Sequence, residues 1–203
     1  MSDTRFVGDA STLPDYGFGH RSTTWWGVCG FIAIETAGFA LAFAAYFFLL
    51  AQERQWPASA IPPDLLWGSL TLVLLLASEF PNVLVKRAAE RLDLKAVRFW
   101  LVVMSLIVLP IFVTRAFEYD HLNVGWDRSA YGSITWALLL LHTFHLATDW
   151  VDTLVLTALM HTEHGKKGRR FVDTSENALY WHFIVISWVL VYGMIYWMPR
   201  LTL

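Results

Sequence analysis

The chain of 203 residues contains one cysteine, Cys29, and few charges, with Asp, Glu, Lys and Arg together making 16% of it. A single cysteine excludes an intrachain disulfide and a cysteine-held metal or iron–sulfur cluster. Soluble domains carry about 25% charged residues, so this shortage argues against a surface wetted on all sides. A net charge of −2 gives no basic excess, and nucleic acid is not expected as a partner. There is no internal repeat, heptad or low-complexity tract. The opening segment MSDTRFVGDASTLPDYGFGHR has no apolar stretch of the kind that marks a cleavable signal peptide. The first apolar run is therefore expected to act as the insertion signal.

What the chain does have is apolar length, since 56% of its residues are hydrophobic. A helix crosses a bilayer core with about 20 mostly apolar residues. Five segments meet that requirement: Trp25 to Ala51, Leu65 to Val85, Phe99 to Phe117, Tyr131 to Met160 and Ala178 to Met198. The expected fold is all-α, an integral membrane bundle of five transmembrane helices over residues 25–203, preceded by a polar tail over 1–24. Pro57, Pro62, Pro63 and Gly125 mark loops, and Pro110 sits late in the third run.

The basic residues orient the bundle. Arg5, Arg21, Lys86, Arg87, Arg91, Lys95, Arg98, Lys166, Lys167, Arg169 and Arg170 fall on one side, against Arg54, Arg115, Arg128 and Arg200 on the other. The positive-inside rule then predicts a cytoplasmic N-terminus and a periplasmic C-terminus. Lys166, Lys167, Arg169 and Arg170 are also candidates for anionic lipid head groups.

Ionisable groups inside the spans are few and informative, because a carboxylate at a helix centre costs roughly 3 kcal/mol or more in hydrocarbon. Glu35 interrupts the run FIAIETAGFALAFAAYFFLL. The second span contains Glu79 and Asn82, three apart and on one helix face. In the fourth, His142, His145, Asp149 and Asp152 fall within roughly an 80° arc and form one stripe. His182 lies inside the fifth. Depths reckoned from helix rise place these groups in the cytoplasmic half, which predicts one buried polar cluster there, linked to protons or lipid. Interhelical hydrogen bonding is the plainer use of His142 and His145, and their spacing lacks a convincing third metal ligand. Glu118 and His121 lie toward the opposite membrane face.

Four stretches together resemble subunit III of the haem-copper terminal oxidases, the cytochrome c oxidase and related quinol oxidase family. The first is FIAIETAGFALAFAAYFF, with its buried glutamate, Glu35. The second is RAFEYDHL, through Ala116, Glu118 and Tyr119. The third is DRSAYGSITWALLLLHTFHL, through Asp127, Tyr131, Gly132, Ser133, His142 and His145. The fourth is LYWHFIVISWVLVYGMIYW, through Tyr180, Trp181, His182, Phe183 and Trp188. Departures from the family pattern are Val185 for an aspartate, Asp149 for a glycine, Glu79 for a small residue, Arg115 for a glutamine, and Glu176 one residue closer to the YWHF motif than the family's glutamate. The resemblance is to a bacterial five-helix form in the cytoplasmic membrane. It implies a chain without haem or copper of its own, packed on subunit I, with subunit II in the same complex. Those partner subunits would hold the haem and copper. It also implies bound phospholipid, support of proton uptake and no catalytic residue in this chain. The resemblance also leaves open subunit III of a quinol oxidase or the accessory subunit of a nitric oxide reductase, and the residues themselves leave open a small haem-b cytochrome, using His142 or His145 with His182, and a proton-coupled carrier using Glu35, Glu79 and Asp149.

Overall fold

The structure is a computed structural model that describes residues 16–53, 56–57 and 61–201. Residues 1–15 of the expected tail, with Arg5, and Arg54 of the first loop lie outside the described residues. Five long helices follow one another: α1 (Thr23–Gln52), α2 (Leu65–Glu90), α3 (Leu94–Asp120), α4 (Ala130–Met160) and α5 (Gly168–Leu201). Single turns of 3-10 helix at Gly19–Arg21 and Glu163–Lys166 precede α1 and α5. No strand occurs among the described residues.

Four of the helices, α1, α2, α3 and α5, are long and apolar enough to cross a membrane. The fifth expected span, α4, does not reach that level of hydropathy. The His142, His145, Asp149 and Asp152 stripe is the reason, since it replaces apolar side chains along one side. With 31 residues, α4 still measures about 46 Å at the usual helical rise. It packs against α1, α3 and α5.

Helices α2, α3, α4 and α5 close a ring in which each packs on the next and α5 packs back on α2. Helix α1 lies outside this ring in the groove between α4 and α5. Only 6% of its apolar stretch is buried, against 50% for α5. The helices run alternately up and down. At one end Tyr16 lies against Gly168, and Arg98 Nε donates to the Met160 carbonyl at 2.7 Å. At the other, the Asp64 N–H donates to the His121 carbonyl at 3.1 Å, and Arg200 Nη2 donates to that of Pro63 at 2.6 Å. Arg21 and the basic segments around residues 86–98 and 166–170 therefore share one end.

Several helix ends overrun the expected spans. Helix α2 continues to Glu90, α3 starts at Leu94 and α5 starts at Gly168 rather than Ala178. Hydropathy marks the hydrocarbon thickness, whereas backbone hydrogen bonding continues into the polar region. The KRAAERLDLKAVR segment is thus two helix ends joined at Arg91–Asp93, with Leu92 at φ 55°. Asp93 caps α3 by accepting the Lys95 and Ala96 N–H groups, each at 3.1 Å, a side-chain service to otherwise orphaned donors. Pro81 and Pro110 both sit inside unbroken helices.

Near its end α5 passes through a π-turn at Gly193–Trp197, which brings Tyr196 to full burial against α2. Gly68 makes room for it, because a Cβ there would collide with the Tyr196 ring. Gly132 answers to a similar demand at the start of α4, where a Cβ would strike the Gly125 carbonyl oxygen. Gly68→Ala should therefore destabilise the bundle by about 1–3 kcal/mol through overpacking. Detergent-solubilised thermal unfolding of the variant, compared with Ala77→Gly on an exposed stretch of the same helix, measures it.

Candidate functional site

The most buried charges among the described residues are on α3. Arg115 is 1% exposed, and Glu118, three residues on, is also 1% exposed. Arg115 Nη1 donates to Glu118 Oε2 at 2.8 Å. Glu118 in turn accepts from Tyr196 of α5 at 2.5 Å and from Thr71 of α2 at 3.4 Å. The guanidinium lies 3.8 Å over the Trp188 ring, a cation–π contact that gains strength where water is excluded. Its Nη2 reaches His142 Nδ1 of α4 at 3.1 Å, while His142 Nε2 faces the Ile184 carbonyl at 3.0 Å. A carbonyl only accepts, so Nε2 bears the proton and Nδ1 accepts from Arg115. His142 is thus a neutral imidazole with both nitrogens engaged, held between an arginine and a backbone oxygen.

The remaining polar residues resolve into separate interhelical ties rather than one cluster. His145 Nδ1 donates to the Leu141 carbonyl at 2.6 Å and its Nε2 meets Glu35 Oε2 of α1. One proton serves that contact, on the imidazole or on the carboxyl. Glu79 Oε2 of α2 lies 2.5 Å from His182 Nδ1 of α5. Asn82, one turn further along α2, donates to the Ala178 carbonyl at 3.0 Å. Glu79 and Asn82 therefore face the same stripe of α5. Asn177 of α5 donates to both Asp149 Oδ1, at 3.2 Å, and Asp152 Oδ2, at 3.1 Å.

The expected single cluster is corrected in this respect. His142 belongs to the arginine network, His145 turns to α1, and Asp149 and Asp152 turn to α5. An arc of about 80° on a helix surface is wide enough to face two grooves. Helix α5 begins ten residues before Ala178, so His182 lies fourteen residues along it, about 21 Å from its start.

The family-motif residues mostly have packing duties. Trp181 Nε1 donates to Ser78 Oγ at 2.9 Å. Tyr119 donates to Thr143 Oγ1 at 3.1 Å, and Ser133 Oγ donates to the Trp126 carbonyl at 2.7 Å. Tyr131 packs edge-on against Trp56, and Tyr180 lies between Phe31 and Phe183. Asp127 stays at the surface beside Arg128. Among the candidate head-group residues, Lys166 pairs with Glu163 and Arg170 with Asp173, while Lys167 and Arg169 are exposed.

Arg115, Thr71, Tyr196 and Asn177 are partners that sequence reasoning passed over. In the sequence Arg115 counts only among the basic residues of the outer side and as a departure from a family glutamine. Its spacing to Glu118 on an otherwise apolar helix was the available signal of a buried pair.

A helical bundle with apolar outer faces and ionisable side chains tied across helices is a membrane protein in its architecture. Curated relatives narrow it further. The chain is 25% identical over 183 residues to cytochrome c oxidase subunit 3 of Synechocystis sp., covering 88% of this chain and 77% of that one. It is 27% identical to cytochrome c oxidase subunit 3 of Alkalihalophilus pseudofirmus, over 83% of each chain. It is 29% identical to the probable cytochrome c oxidase subunit 3 of Mycobacterium tuberculosis, over 84% of this chain and 85% of that one. No family model matches the chain. The chain is a homologue of the cytochrome c oxidase subunit III proteins, which form part of an enzyme complex.

Removing one partner of a buried ion pair strands the other, at about 3–5 kcal/mol. Arg115→Met should show that loss in detergent unfolding, while Arg115→Met combined with Glu118→Gln should recover a substantial part of it. A double variant as unstable as the sum of the singles would mean that the two groups are not coupled.

Proposed function

We propose that this chain is the non-redox subunit III of a haem-copper terminal oxidase of the aerobic respiratory chain, a cytochrome c oxidase, in a bacterial cytoplasmic membrane. The observation behind this reading is the match to relatives of that name over more than four-fifths of the chain. In this reading all five helices span, with the basic end cytoplasmic and the C-terminus periplasmic. The chain packs on subunit I, shares the complex with subunit II and leaves haem and copper to them. Phospholipid fills its outer grooves.

The bonding of the histidines supports a non-redox role. Both His142 nitrogens are engaged within the chain, and His145 and His182 each face a carboxylate. Helix α1 supports a role inside a larger assembly. It is apolar all round, with Ile34, Leu41 and Phe48 at 71%, 73% and 64% exposure, and such a helix belongs against lipid or another protein. Glu35 answers its own desolvation through His145 and so ties this outlying helix to α4. Support of proton uptake and of the complex's working lifetime follows from keeping α1 in place and its proton shared.

Affinity purification of the tagged chain in mild detergent, with mass spectrometry of co-purifying polypeptides, should recover a large haem-copper subunit I and a subunit II. Copper ligands in that subunit II would specify cytochrome c as donor, and their absence a quinol. Recovery of the chain alone would overturn the proposal. Glu35→Gln should lower the stability of the chain by about 1.5–3 kcal/mol, the value of a hydrogen bond to a charged group. It should also shorten the active lifetime of the complex. Unchanged unfolding, turnover and lifetime would remove Glu35 from the function.

A further inference from the structure

The Glu79–His182 pair ties α2 to α5 and also opens outward. The two side chains are 25% and 30% exposed. Such exposure is ordinary at the end of a membrane helix, but Glu79 lies about 21 Å from the start of α2 and about 16 Å from its end. The pair therefore faces outward near the middle of an apolar span. One carboxylate oxygen and one ring nitrogen meet, Oε2 and Nδ1. The hydrogen bonds among the described residues leave the other oxygen, Oε1, and the other ring nitrogen, Nε2, unengaged. Oε1 is an acceptor whichever of the two contacting atoms carries the proton. Hydrocarbon offers it no donor.

The surroundings say what kind of donor can reach it. His182 turns to α2, while its neighbour Phe183 turns to Phe39 of α1. The strip of α5 between those directions is uncovered, with Ile186 and Val189 at 61% and 45% exposure. His182, Ile186, Val189 and Gly193 fall within about a 60° arc of α5. Leu76, one turn from Glu79 on α2, is 49% exposed. Gly193 has nothing within 4 Å of where a Cβ would stand, which leaves room for another backbone to come close, as small residues do between membrane helices. The pair is thus an acceptor set in a long apolar face. A lipid acyl chain along this face has no donor, and head groups lie at the helix ends. A helix satisfies its own backbone and can carry one donating side chain to mid-span. A second copy of this chain fits poorly, because copies share an orientation in the membrane and a symmetric pair would set Glu79 against Glu79 at one depth. We infer that this α2/α5 face seats a membrane-spanning helix of a partner protein, apolar except for a side chain whose N–H or O–H donates to Glu79 Oε1. The inference deepens the oxidase reading and rests on it only for the partner's identity as an oxidase subunit.

Photocrosslinking in intact membranes tests it. A benzoylphenylalanine probe in place of Ile186 should link the chain to a partner polypeptide, identified by mass spectrometry. The same probe in place of Val113, 57% exposed on α3, should not give that product. Glu79→Leu should cut the yield of the crosslink, and the partner recovered on purification, at least tenfold, while Glu79→Gln, which keeps an acceptor oxygen, should retain most of both. Leu76→Trp keeps the pair and crowds the face, and it should give the same loss where Glu79→Leu does not fold. A crosslink to an oxidase subunit bears out the face and the oxidase reading together. A crosslink to a different membrane protein, lost in Glu79→Leu or Leu76→Trp, keeps the face and overturns that reading. Oxidase subunits that co-purify while the Ile186 probe links to nothing, to lipid or to a second copy of this chain would overturn the inference and leave the reading. A crosslink indifferent to both variants would do the same.

Discussion

A guanidinium cannot sit dry among four helices without a counter-charge, and Arg115 obtains one from the residue a turn away. That local pair then needs more. Glu118 has two oxygens and several lone pairs, and they draw in Tyr196 and Thr71. Arg115 has a second terminal nitrogen and a planar face, and these draw in His142 and Trp188. These demands are met from α2, α4 and α5, so neutralising one charge fixes those helices and α3 relative to one another. Hydrocarbon supplies no water to any of these groups. The ring of four helices is the geometry that serves both Arg115 terminal nitrogens and both Glu118 oxygens at once.

The other ties follow the same rule with smaller stakes. Glu79 with His182, Asn82 with the Ala178 carbonyl and Ser78 with Trp181 align α2 on α5. Apolar packing between membrane helices is weakly directional, because lipid tails are as apolar as leucine. Register along the helices is therefore set by these polar contacts, and the small residues follow from it. Gly68 is small because Tyr196 must reach Glu118 past it.

Much of this was legible in the sequence, and the limits are physical. The apolar runs gave the helices, since hydrocarbon thickness sets a length. They could not give the ends, because Gly168 to Asn177 and Lys86 to Glu90 are rich in charged and polar residues yet stay helical. The same polar stripe that revealed the interest of α4 lowered its hydropathy below that of its neighbours. The periodicity of that stripe put His142, His145, Asp149 and Asp152 on one side of a helix. It could not say that two grooves share that side, as partner identity depends on tertiary placement. Arg115 was visible as a departure from a family pattern, yet a charge two residues inside the expected span edge at Phe117 reads as one that reaches the interface until its burial is known.

Helix α1 poses the remaining structural question. It lacks an amphipathic side, and most of its apolar surface is uncovered within the chain. Apolar packing alone would leave its rotation poorly defined. Its position is set by a few directional contacts on one line: Glu35 to His145, Phe39 against His145 and Phe183, and Tyr46 accepting from Trp56 Nε1 at 2.9 Å. That line runs along the groove of α4 and α5. The Glu35 carboxylate, costly in hydrocarbon, is thus best understood as the fixed point of a helix that has few other reasons to stay where it is.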